Sequence, residues 1–303
     1  MQAVTGRFAP TPSGRLHLGN ILCAMLAYLS ARSQGGRFLL RIEDIDIPRC
    51  PAHLSRRAVE DLRWLGFTWD EEPWVQSQRG EIYQAALDRL TAMGLTYPCF
   101  CTRAQLHASA APNLGDTQFI YPGTCAGLSP EEVRRLSATR SQAIRLRTPE
   151  EEFAFTDGLY GPQRENLARD CGDFVLRRSD GLWGYQLAVV VDDGLMGVNQ
   201  VVRGRDLLSS TPWQLWLQEQ LGFQRPEYCH VPLLVAAEGR RLSKRDGDMD
   251  LGAIRASGVT PQSLVGRLAF LAGIIDREEP VTPEELIPLF RWEKVRKENI
   301  VVK

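Results

Sequence analysis

Nowhere in its 303 residues does the chain hold an apolar run of the roughly 20 residues that a membrane span needs, and its N-terminus lacks the pattern of a secretory signal. Low-complexity tracts and internal repeats are missing, which excludes fibrous and repeat architectures. Neither sign of charge is in excess: 36 Lys and Arg against 37 Asp and Glu leave a net −1. A polyanionic partner would have to be held by local patches, because no overall basic field exists to attract it. The seven cysteines are odd in number and scattered, which argues against a disulfide framework. Together these absences describe a globular chain expected in the cytoplasm.

What is present begins with a change of rhythm. Residues 4–8 read as a short strand, followed by a turn rich in Pro, Thr, Ser and Gly. An Ala- and Leu-rich helix is expected over 21–33, Gly35-Gly36 stops it, and residues 37–42 read as the next strand. Such a unit predicts an α/β fold with a doubly wound parallel sheet, and a ligand at the C-terminal ends of its strands. Helices are expected at 51–65 and 81–93. From 97 to 172 the alternation stops, and this stretch reads as an insertion. Strand-like runs resume at 174–177, 186–192 and 200–203, before a helix at 212–222 and a strand at 230–235. Beyond 250 the chain reads as mostly helical, with Thr260-Pro261 as a capping hydroxyl and a first-turn proline. The expected divisions are 1–96 and 173–250 for two halves of a nucleotide-binding domain, 97–172 for the insertion and 251–303 for a helical C-terminal segment.

Two segments suit a triphosphate. In RFAPTPSGRLHLGN (residues 7–20) a strand feeds a tight turn and a helix starts close to Gly19, so unpaired backbone N–H groups and a positive dipole end would face an anion. His17 adds a donor, and Gly19 lets a nucleotide approach the backbone. Far along the chain, Arg240-Arg241-Leu242-Ser243-Lys244-Arg245-Asp246-Gly247 follows the last sheet strand as a basic loop, fit to neutralise charge as a phosphate is attacked. Inside the insertion, Cys99-Phe100-Cys101 and the distant Cys125 offer three thiolates of a tetrahedral metal site, with His107 as a generic fourth ligand. Residues 134–147 carry five arginines and no acid, which is either a local patch for RNA or a solvated face.

The first segment resembles the HIGH signature of class I aminoacyl-tRNA synthetases, and RLSKR (241–245) resembles their KMSKS signature. RFAPTPSGRLHLGN followed by FLLRIEDID is similar to the glutamyl and glutaminyl branch in particular. Two departures stand out: Asn20 replaces the second histidine, and arginine occupies both ends of RLSKR. Asn20 still donates a hydrogen bond, and Lys244 keeps the central charge. The resemblance implies a Rossmann-like class I catalytic domain that activates L-glutamate with ATP and Mg²⁺. ATP would be held by His17, Gly19, Asn20, Arg241, Leu242, Ser243, Lys244 and Arg245, of which His17, Gly19, Asn20, Ser243 and Lys244 would act in catalysis. Glutamate would meet Arg7, Phe8, Ala9, Pro10, Thr11, Glu43, Tyr185 and Arg203. Arg7 and Arg203 would offer bidentate recognition of carboxylates, and an arginine facing the substrate side chain would favour glutamate over neutral glutamine, because a buried unpaired guanidinium is costly. The family's C-x-C…Y-x-x-x-C pattern implies one structural Zn²⁺ on Cys99, Cys101, Tyr121 and Cys125, preferring Tyr121 to His107.

Only 58 residues (246–303) follow the second signature, fewer than an anticodon-binding portion needs. Over nearly its whole length the chain therefore resembles the truncated glutamyl-Q tRNA(Asp) synthetase family. That implies transfer of glutamate to queuosine at the wobble position of tRNA(Asp), with the anticodon stem-loop as partner and a monomeric enzyme. The competing expectations are a synthetase that charges a tRNA 3′ end, a retired copy that only binds RNA, and a nucleotidylyltransferase for a small acid.

Overall fold

The N-terminal strand–helix–strand unit is present. β1 (Thr5–Phe8) and β2 (Arg37–Ile42) pair in parallel, Thr5 opposite Arg37 and Phe8 opposite Leu40, with α1 (Leu18–Arg32) between them. The protein is described by a computed structural model over residues 3–102, 105, 120–236 and 250–302. Two further parallel strands, β9 (Gln200–Gly204) and β10 (Glu227–Val231), and the two-residue β3 (Trp74–Val75) complete a five-stranded sheet in the order β10-β9-β1-β2-β3. β1 and β9 are buried along their whole length, as expected of strands covered on both faces. Helix α1 buries Ile21, Leu22, Met25, Leu26 and Leu29 almost completely. Each such side chain contributes roughly 1.5–3 kcal/mol to stability.

Strand order reverses between β1 and β9. The chain builds outward from β1 through β2 and β3, then returns to the other side of β1 with β9 and β10. Such a reversal leaves a crevice beyond the strand ends, because the two flanking connections depart to opposite faces.

The helices expected at 51–65 and 212–222 are α2 (Ala52–Trp64) and α6 (Thr211–Gln220), whereas several other expectations change. Residues 186–192 are not a strand: they lie in helix α5 (Tyr185–Leu195). Leu187 through Asp193 are all buried, so the run lacks a polar face and its periodicity cannot separate a buried strand from a buried helix. The strand expected at 230–235 is two strands, β10 and β11 (Leu234–Val235), with Pro232 between them. β11 pairs with β12 (Ile300–Val301), so the region after 250 is not only helical. It does contain α7 (Leu251–Ala256), α8 (Pro261–Ala272), capped by Thr260 as expected, and the short α9 (Pro283–Leu286).

Between β3 and β9 lie α3 (Gly80–Ala92) and a separate antiparallel sheet, β4 (Thr96–Cys99), β5 (Ala143–Leu146) and β8 (Phe174–Arg177). β8, expected to rejoin the central sheet, pairs with β5 instead. A hairpin of β6 (Glu152–Asp157) and β7 (Gly161–Asn166) completes this part, together with α4 (Pro130–Ser137), which starts in a Ser129–Glu132 capping box. Among the described residues no helix is long and apolar enough to cross a membrane.

Candidate functional site

A cavity of about 380 Å³ lies at the reversal point. Its wall contains Arg7, Phe8, Ala9, Pro10 and Thr11 from the end of β1, and His17, Gly19 and Asn20 from the start of α1. Glu43 enters from the end of β2, Tyr185 from the first turn of α5 and Arg203 from β9. Every described residue expected to touch glutamate or nucleotide therefore faces one space. The RLSKR residues, Arg241 to Arg245, lie outside the described residues, as does His107. Leu234 lines the cavity on one side and Asp250 bridges to the His17 backbone on the other, so the described flanks of segment 237–249 both meet the site.

Arginines and carboxylates alternate beneath the cavity. Arg7 turns its fork on Asp193, with Nε and Nη2 3.2 and 3.4 Å from the two carboxylate oxygens, and Nη1 donates to the Val202 carbonyl at 3.3 Å. Arg41 has no exposed surface and lies 2.6 Å from Asp193 and 2.9 Å from Glu43. Burial works against its charge, but Asp193, Glu43 and Asp192 more than reverse that and hold it protonated. Asp192 in turn accepts from Gln76, Arg79 and Tyr83 at 2.7–2.9 Å. Removing one member would leave an uncompensated buried charge, at a cost of about 3–5 kcal/mol.

Two carboxylates of this network respond in opposite directions. Burial raises the pKa of Glu43 above the ordinary range, although Arg41 and Arg7 pull it down. Burial acts the same way on Asp193, yet Arg41 and Arg7 prevail there and hold it below the ordinary range. Asp193 is thus an anchor for the two arginines. Glu43, at the cavity wall with one arginine partner, is the carboxylate available to an ammonium group. Tyr185 is raised by burial and by the neighbouring Glu43 charge, so its phenol stays protonated and can donate.

Arg203 is held by a different set. Nε donates to His230 Nε2 at 3.0 Å, Nη1 to Gln214 Oε1 at 2.5 Å, and Nη2 to Thr211 Oγ1 at 2.9 Å and the Leu207 carbonyl at 3.2 Å. On the far side of the imidazole, His230 Nδ1 is 2.6 Å from Asp157. A guanidinium only donates, so His230 Nε2 accepts and the ring proton sits on Nδ1, facing Asp157. Burial pushes the imidazole down to about 4 against the pull of Asp157, so it is neutral at physiological pH.

At the start of α1, local sterics shape the phosphate-facing turn. A Cβ on Gly19 would lie 3.1 Å from two atoms of the His17 ring, so glycine is what lets that ring pack over the turn. Asn20 accepts from the His17 backbone N–H at 3.3 Å, which closes the first turn of the helix. The departure from a second histidine thus supplies a cap.

The insertion gathers the three cysteines. The sulfurs of Cys99, Cys101 and Cys125 all lie within 4.8 Å of one another, and those of Cys101 and Cys125 are 3.5 Å apart. Tyr121 Oη is 3.4 and 3.5 Å from the sulfurs of Cys99 and Cys101. A tetrahedron with Zn–S bonds of about 2.3 Å has an edge of about 3.8 Å, so the four groups fit one ion. Arg145 covers the Tyr121 ring at 3.8 Å and Arg147 covers Tyr97 at 5.0 Å. Of the five arginines of 134–147 only Arg145 is therefore buried in the insertion; Arg147 lies over Tyr97 but stays exposed, as do Arg134, Arg135 and Arg140.

Sequence reading missed Arg41, Asp193, His230 and Gln214. Arg41 stands in the FLLRIEDID phrase without a role assigned to it, and no motif marks the other three. The available signal is a charged or polar residue inside an apolar run, as in FLLRI, AVVVDD and YCHV, since such a group is buried only with a partner.

Comparison with known proteins agrees with this geometry. The family profile for tRNA synthetases class I (E and Q), catalytic domain, matches residues 3–303. The chain is 52% identical to a glutamyl-Q tRNA(Asp) synthetase of Symbiobacterium thermophilum, over 97% of this chain and 94% of that protein. A glutamyl-Q tRNA(Asp) synthetase of Nitratidesulfovibrio vulgaris is 49% identical, over 94% and 91%. Among solved structures, glutamate-tRNA synthetase from Elizabethkingia anophelis superposes with a TM-score of 0.85 at 29% identity, covering all of this chain and 68% of that one. A glutamate tRNA ligase from Elizabethkingia meningosepticum, in complex with its amino acid, gives 0.84 at 29% identity, over 99% and 67%.

Proposed function

Because the chain belongs to the class I tRNA synthetases of the glutamate and glutamine type, we propose that it activates L-glutamate with ATP and passes the glutamyl group to queuosine at the wobble position of tRNA(Asp). The supporting observation is a single cavity that joins a helix N-terminus, with His17, Gly19 and Asn20, to Arg7, Glu43, Tyr185 and Arg203. Glu43 takes the substrate ammonium, Arg203 the side-chain carboxylate and the α1 N-terminus the phosphates. The glutamate α-carboxylate oxygen attacks the ATP α-phosphorus in line, and pyrophosphate leaves with the electrons of the broken P–O bond. An acceptor hydroxyl then attacks the glutamyl carbonyl and AMP departs. Orientation and charge stabilisation carry both steps, so no side-chain nucleophile is required. Lys244 and Ser243 serve the leaving phosphates, with Mg²⁺ supplying further charge when ATP is bound. Cys99, Cys101, Cys125 and Tyr121 would hold one Zn²⁺, whose contribution is structural.

Glutamate transfer to the queuosine of tRNA(Asp) also agrees with relatives named for that RNA at about half identity and with nearly equal extent. The test has two stages. Pure protein with ATP, Mg²⁺ and glutamate is expected to exchange labelled pyrophosphate into ATP, and glutamine is expected not to. Labelled glutamate is then offered to queuosine-containing and queuosine-lacking tRNA(Asp). Labelling of the modified RNA alone supports the reading. Equal labelling of both would instead identify an enzyme that charges a 3′ end.

A further inference from the structure

The arginines around the cavity are neutralised unequally. Arg7 is paired with Asp193, and Arg41 with Asp193 and Glu43. Among the described residues, every hydrogen bond from Arg203 ends on an uncharged acceptor: the His230 imidazole, the Gln214 carboxamide, the Thr211 hydroxyl or the Leu207 carbonyl. The clamp is dry, with Arg203 5% exposed, Gln214 1%, and Thr211 and His230 0%. Asp157, which could have paired with a guanidinium, instead meets the far nitrogen of the imidazole.

This arrangement separates two jobs that a carboxylate would merge. Four neutral acceptors fix the plane and rotation of the guanidinium. Unlike a carboxylate, they leave its net charge uncancelled, so that charge is expressed at the cavity wall. With an anionic acceptor in the clamp, an entering carboxylate would meet a pair that is already neutral. With the neutral clamp, a neutral amide in place of that carboxylate leaves a buried cation uncompensated, and this penalty is the basis of selection. The Asp157–His230 contact supports the same end, because it fixes the tautomer that accepts from Arg203 and keeps the Asp157 charge one ring away.

Resting on the reading that this cavity takes glutamate, we propose that His230, Gln214 and Thr211 form a neutral clamp that orients Arg203 and preserves its charge for an acidic side chain, with Asp157 setting the clamp's tautomer. All four are positioning and specificity-determining residues that act through Arg203.

Gln214→Glu is the decisive variant, since it adds a charge while keeping shape. The Gln214 amide donates to Gln186 Oε1 at 2.7 Å, and a turn of the Gln186 amide restores that bond. In pyrophosphate exchange, Q214E is expected to raise the glutamate KM about 10- to 100-fold and to leave the ATP KM within about twofold. Gln214→Met removes the acceptor without adding charge and is expected to shift the glutamate KM by no more than about fivefold. Equal shifts in Q214E and Q214M, or an unchanged glutamate KM in Q214E, would overturn the proposal. So would parallel rises of the glutamate and ATP KM values. If Q214E does not fold, Asp157→Asn decides: its glutamate KM is expected to rise about tenfold with a smaller change in kcat, and an unchanged KM refutes the clamp. Absence of glutamate-dependent exchange in the unmodified protein would refute the glutamate reading itself, which is a different failure.

Discussion

Glu43 bears a negative charge that its surroundings resist. Arg41, Arg7 and Asp193 are the charged groups that act on it, with the neutral Tyr185 phenol beside it, and burial outweighs the two arginines. An ammonium is attracted only by the ionised form. Lowering the pH through the raised Glu43 pKa should therefore weaken glutamate binding in a range where an ordinary glutamate is still charged. Measured from pH 8 downward, the glutamate KM is expected to climb on acidification while the ATP KM stays flat. Glu43→Gln should raise the KM at the alkaline end, converge with the unmodified protein on acidification and so remove the dependence; a variant that keeps the slope would assign the titration to another group. At Gly19 the limiting factor is space. Gly19→Ala forces the His17 ring away from the turn, so kcat should fall by roughly tenfold or more with little change in melting temperature, because only the positioning of one ring is altered.

At the scale of elements, the first residue of α5 carries Tyr185 into the site, and its position depends on the residue before it. A Cβ on Gly184 would sit 2.1 Å from the Val175 carbonyl of β8, and backbone cannot yield as a side-chain end does. Gly184→Ala is expected to destabilise by about 1–3 kcal/mol and to raise the glutamate KM, as read by urea unfolding and exchange kinetics. The cap of α8 offers a contrast. Thr260 Oγ1 accepts from the Ser263 backbone N–H at 3.2 Å, so Thr260→Ala should cost about 1 kcal/mol without touching kinetics. The two elements also differ in legibility. Thr-Pro ahead of an amphipathic run announces α8, whereas the all-apolar run of α5 hides its period and read as a strand.

Across the whole molecule, Asp157 at the end of β6 and His230 in β10 join the inserted hairpin to the central sheet. Asp157, Arg203, Asp206 and Thr211 face this imidazole, along with the Tyr228 ring. Its pKa is about 4 when folded, against 6.5 for a free histidine. Between those values the unfolded chain binds a proton that the folded chain refuses, so stability falls as pH drops from about 6.5 to 4. The share due to His230 is on the order of 3 kcal/mol, and His230→Gln should flatten that part of a melting-temperature profile. Asp157 acts lower: its pKa is held below the ordinary range, so its contribution is lost only on further acidification. The cluster of Cys99, Cys101 and Cys125 joins residues up to 26 positions apart and is a second long-range tie. Metal analysis of the purified chain is expected to find one zinc, lost in Cys125→Ser, and chelation should lower stability with a smaller effect on pyrophosphate exchange than on transfer to RNA. Exchange falling as far as transfer would mean that the metal supports the central sheet as well.

The sequence by itself determined whatever depends on neighbours along the chain. The strand–turn–helix unit at 5–32, the parallel sheet it starts, the Cys-x-Cys turn and the Thr260 cap all follow from local sterics, periodicity and spacing. Only the tertiary structure decided how the buried charges are shared. Asp193 anchors two arginines while Arg203 is clamped by neutral groups, and β8 leaves the central sheet for β5. Those outcomes depend on which side chains meet across strand reversals, and Coulomb and desolvation energies act on distance in space, which the order of residues does not contain.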